Sequence, residues 1–103
     1  MEKKSEMEKL IDMLTEARVP YEICIAFSTP QVCYPNQENC ICDAICHKYS
    51  YGFEQGLLEI MGLVDEEEIG DDVEGYLNAK EVFNRILSHY INNMGMVNVL
   101  VQI

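Results

Sequence analysis

At 103 residues and a net charge of −11, the chain has room for one modest core, and it sets 18 carboxylates against 7 Lys and Arg. That balance leaves no cationic surplus to neutralise phosphates, so direct nucleic-acid binding and anionic membrane surfaces are excluded as partners. A basic protein surface is the complementary partner, and solubility alone is the simpler reason for the charge.

Ser5 and Glu8 form a capping box at the head of an amphipathic pattern in which Met7, Leu10, Ile11 and Leu14 share one face, so a helix is predicted from Glu6 to Arg18. Pro20 stops it. Tyr21 to Phe27 alternates as a strand, Ser28-Thr29-Pro30 reads as a turn, and Gln31 to Tyr34 as a short strand. Pro35 to Asn39 reads as a hairpin loop and Cys40 to about Ile45 as its return strand. Leu57 to Leu63 is apolar enough for a further strand, and the acidic segment after it is expected as a short helix or exposed loop.

Asn78 and Glu81 form a second capping box, with Leu77 stapling onto Val82. Phe83, Ile86, Leu87 and Tyr90 supply that helix's buried face, which places His89 at the surface. Tyr49, Tyr51 and Phe53 are expected to pack on the sheet, with an interface patch as the alternative. The expected fold is α+β: a single domain over 1–103, with a small, mostly antiparallel sheet carrying an N-terminal and a C-terminal helix. Residues 1–5 are expected to be disordered. Residues 96–103 read as a late strand or tail, and its valines Val97, Val99 and Val101 invite a homodimer through Val97–Ile103.

The chain has five cysteines, an odd number. No secretory h-region is visible, and no stretch approaches the ~18 apolar residues that span a bilayer. Reduced thiols in a cytosol are therefore expected instead of a disulfide framework. Cys33, Cys40, Cys42, Cys46 and His47 fall within fifteen residues, spaced C-x6-C-x-C-x3-C-H. Thiolates with at most one imidazole favour zinc, in a structural role if four ligands close the shell. Register decides the ligand set. A four-residue loop would pair Cys33 with Cys42 and join their thiols; a five-residue loop would pair Cys33 with Ile41 and part them. The alternatives are thiols buried as small hydrophobes and a Cys46/His47 nucleophile, the latter lacking an orienting third group.

Seven of the ten residues from Asp65 to Glu74 are carboxylates: Asp65, Glu66, Glu67, Glu68, Asp71, Asp72 and Glu74. A calcium loop fails here, because Ile69 and Tyr76 stand at ligand positions. The seven are expected either to form a solvated face or to dock on a basic partner, imitating a phosphate backbone.

The run Tyr34-Pro35-Asn36-Gln37-Glu38-Asn39-Cys40-Ile41-Cys42, then Tyr51-Gly52, Gly56 to Leu63, Glu74-Gly75-Tyr76-Leu77 and Glu81 to Ile86, resembles small proteins encoded by phages and prophages of Gram-positive bacteria. The resemblance spans about residues 6 to 91. It implies a type II-A anti-CRISPR-like function: a zinc-holding, non-enzymatic inhibitor in the cytoplasm of the bacterial host. Such a protein would bind the Cas9 nuclease and block nucleic-acid loading or cleavage. Cas9's basic channels suit a partner of this charge. A homo-oligomeric accessory phage protein is the alternative.

Overall fold

The computed structural model of the protein describes residues 3–64 and 72–95. Helix α1 spans Glu6–Glu16 and begins on the expected box: Ser5 Oγ accepts from Glu8 N–H at 3.1 Å, and the Glu8 carboxylate accepts from Ser5 N–H at 2.8 Å. It stops earlier than Pro20 alone requires. Arg18 turns left-handed (φ 59°), while Val19 N–H bonds Leu14 C=O and Arg18 N–H bonds Thr15 C=O. These are the two bonds of a Schellman cap, which buries Val19 against the helix.

Five strands follow as an antiparallel meander in the order β1-β2-β3-β4-β5: Glu22–Ala26, Thr29–Tyr34, Cys42–Ile45, Leu58–Met61 and Val73–Leu77. Alternation sends Val32, Tyr34, Cys42, Ala44, Leu58, Ile60 and Leu77 to one face, where they are buried. Met7, Leu10 and Leu14 of α1 pack on that face with Ala79, Val82 and Ile86 of α2, which spans Ala79–Tyr90. This is the expected α+β arrangement.

Three elements differ from the sequence reading. The turn between β1 and β2 is Phe27-Ser28, one residue earlier than Ser28-Thr29-Pro30, and both turn residues have positive φ (53° and 64°). β3 begins at Cys42, because Pro35 to Ile41 forms an irregular connection with a cis peptide at Pro35. β5 falls at the end of the segment expected as helix or loop. Gly75 breaks its pattern because a Cβ there would lie 2.2 Å from the Tyr51 Cβ, so only glycine lets the 51–52 backbone pass. The acidic residues 65–68 and 71, and the tail 96–103, lie outside the described residues.

The Asn78 box of α2 is present as expected, with Leu77 and Val82 both buried beside it. A longer link joins the two helices: Ala79 N–H donates to Glu6 Oε1 at 2.8 Å. That bond, then Lys9, holds the Glu6 carboxyl below its usual range. Carboxylates at helix N-termini stabilise by about 1 kcal/mol, so Glu6→Ala is expected to cost about that much in denaturant unfolding at neutral pH. Because the folded-state value is lowered, this contribution is present above pH 4.5 and lost as pH falls further; the gap between wild type and variant should close in acid.

Candidate functional site

The residues that stand opposite each other on β2 and β3 are Val32 and Ala44, Cys33 and Asp43, and Tyr34 and Cys42. Neither register considered for the hairpin is adopted. Cys42 faces the helices and is sealed in the core, whereas Cys33 projects from the opposite face. The two thiols cannot share an ion. Cys46, past the end of β3, also packs against the core.

His47 is occupied by its own turn. Its Nδ1 accepts from Tyr49 N–H at 3.1 Å, so the lone pair of that nitrogen is engaged within the turn. Its backbone is bound to Ser50: His47 N–H donates to Oγ at 3.0 Å, and Oγ donates to His47 C=O at 2.8 Å.

Cys33 and Cys40 do come together, joined by a cysteine outside the expected set. Cys24 Sγ lies 3.1 Å from Cys33 Sγ, with both thiols free, and the Cys40 sulfur accepts a hydrogen bond from Cys33. Cys40 escapes strand alternation because it lies in the 35–41 connection, where Tyr34 N–H donates to its sulfur. A polar chain runs outward from this cluster. Cys24 donates to Gln31 Oε1 at 3.6 Å, and the Gln31 side chain and Met61 N–H bond the Asp43 carboxylate. Among the described residues no three Cys, His, Asp or Glu side chains already stand in coordinating geometry. Cys24 was legible in principle: a two-residue turn at Phe27-Ser28 pairs Cys24 with Gln31 and Glu22 with Cys33, making the two thiols diagonal neighbours on one face.

Of the carboxylates expected to meet a partner, Glu74 has an internal role. It holds Arg85 through both oxygens, with Arg85 Nη2 to Glu74 Oε2 at 2.8 Å, and Arg85 also bonds Leu63 C=O at 3.2 Å. This ties β5 and the end of β4 to α2. Asp72 is exposed.

The aromatic tract, expected against the sheet, is displayed instead. Tyr49 and Tyr51 are exposed, as are Phe27 at the β1–β2 turn (66 %) and Tyr76 in β5 (59 %). Phe27 packs against His47 at 4.4 Å between ring centroids, the rings tilted by 45°, and meets Tyr49 edge-on at 5.5 Å. Tyr51 accepts a long hydrogen bond from Tyr76 N–H at 3.4 Å. The loop from His47 to Gly52 therefore links Phe27 to Tyr76. His89, expected at the surface, is half-buried with Nδ1 2.7 Å from Tyr34 Oη. A helix stripe cannot show that a tyrosine from the sheet will reach it.

No protein-family model, curated protein or solved structure matches the chain. Among the described residues no helix is long and apolar enough to cross a membrane.

Burial pushes Cys42 up to about 12, helped by the Asp43 carboxylate, and burial raises Cys46 as well. For Cys46 that is the opposite of what a thiolate nucleophile needs. A thiol whose folded-state value is raised contributes stability that is whole below the ordinary value of 9.0 and is lost as pH climbs toward about 12. The unfolding midpoint should therefore fall between pH 9 and pH 11. Cys42→Ala should lower stability by about 1–2 kcal/mol at pH 7 through the cavity it leaves, and flatten that alkaline slope. Urea titrations at both pH values check it.

Proposed function

We propose that this protein is a non-enzymatic binding module that docks its aromatic surface on a basic, nucleic-acid-handling protein. The observation that carries the reading is backbone strain coupled to display. Phe27 and Tyr76 both hold left-handed φ (53° and 61°), and both rings are exposed. A bulky residue in that region costs about 1–2 kcal/mol relative to ordinary backbone, and a two-residue hairpin of this kind is best served by Asn-Gly. Rings left this exposed recover only part of that cost from contacts within the fold, so a bound partner is what the placement serves.

Aromatic side chains are the usual anchors of protein interfaces, and the uncompensated negative charge would speed encounter with a cationic surface. This extends the anti-CRISPR-like reading: an inhibitor acting in the cytoplasm of the bacterial host, with Cas9 as the target to try first. Asp65, Glu66, Glu67, Glu68, Asp71 and Asp72 supply the attraction, and the aromatics supply the fit.

Cas9 cleavage of a plasmid, with the protein in large molar excess, tests the target; undiminished cleavage across several orthologues rejects it. The surface is tested by the double variant Phe27→Asn, Ser28→Gly. It is expected to raise stability by about 1 kcal/mol while weakening partner capture at least about tenfold. Capture at wild-type strength by the stabilised variant would show that the aromatic surface is not the docking face. Reversing Asp65, Glu67, Asp71 and Asp72 to Lys should chiefly slow association, and more at low salt than at high salt.

A further inference from the structure

We propose that Cys24, Cys33 and Cys40 form a three-thiolate site for a soft d10 metal ion, zinc being the resident ion, on the face of the sheet opposite the helices. The site differs from the expected cysteine set in recruiting Cys24 and in leaving Cys42, Cys46 and His47 to the fold. It is independent of the partner proposed above.

Three observations converge on it. The first is proximity. With Zn–S bonds of ~2.3 Å, two thiolates on a tetrahedral ion stand ~3.8 Å apart. Cys24 and Cys33 already lie at 3.1 Å, so small side-chain rotations open the pair around an ion. The second is the third sulfur. The 35–41 connection brings Cys40 onto Cys33, and Tyr34 N–H donates to the Cys40 sulfur. A backbone N–H aimed at sulfur is the kind of outer contact that orients and stabilises a thiolate ligand. The third is the fourth position. Asp43 pairs directly with Cys33 on the same face, and Gln31 bridges it to Cys24, so a carboxylate or a water can complete the shell.

Sulfur donors select zinc and its thiophilic congeners over calcium or magnesium. Cys40 is exposed, which gives the ion a way in. Bound there, the metal would cross-link β1, β2 and the 35–41 connection. The latter is otherwise tied to β1 by the bond from Gln37 N–H to Glu22 Oε1 (2.7 Å).

The test is titration of the full chain with Cd²⁺ under a non-thiol reductant, followed by thiolate-to-cadmium charge-transfer absorption, with Zn²⁺ competing. One equivalent is expected to bind. Cys24→Ser and Cys40→Ser should each weaken binding at least about tenfold, and Cys46→Ser should leave it within about twofold. Cys24 is half-buried near a sheet edge and Cys40 is exposed, so both variants should keep the wild-type circular dichroism. A site built on Cys33, Cys40, Cys42, Cys46 and His47 makes the reverse prediction for Cys24→Ser and Cys46→Ser. No saturable one-to-one uptake, or Cys24→Ser binding as tightly as wild type, overturns the assignment.

Discussion

Tyr34 and Cys42 face each other across β2 and β3 with both side chains sealed beneath the helices. Because side chains alternate along a strand, that pairing sets the face of every neighbour. Val32 and Ala44 follow them into the core, while Cys33 and Asp43 are turned outward. A slip by one residue would drive Cys33 under the helices and expel an aromatic ring that now meets His89. The core holds the register, and the register distributes the thiols.

Polar links hold the two layers together at the ends of the elements. Glu6 reaches the first turn of α2, and Glu74 grips Arg85 from β5. Lys4 and Lys9 are engaged with Asp12 and Glu6. In a chain with only seven Lys and Arg, such internal uses leave most carboxylates without a cation, so the surface field is strongly negative. Lys48 adds little to offset it, lying over the Tyr49 ring at 5.2 Å.

The two faces of the sheet consequently do different things. One is spent on helix packing. The other carries a thiol cluster and its polar chain, while the loop beside it presents aromatic rings. Charge acts over a Debye length of about 10 Å and gives encounter; rings act at contact and give residence.

Local chemistry was readable from the residues themselves. Both capping boxes, the Leu77–Val82 staple and the apolar stripes of α1 and α2 depend on neighbours within one or two turns, and the sequence determined them, together with the charge and the α+β class. What needed the tertiary structure was every relation between distant segments: the register that parts Cys33 from Cys42, the hairpin that brings Cys24 in, the loop that frees Cys40, and the capture of Glu74 by Arg85 and of His89 by Tyr34. Such pairings turn on a single residue of loop length and on which side chains fill the core. Local propensity is blind to both, because a one-residue shift costs a strand nothing until a second layer packs on it.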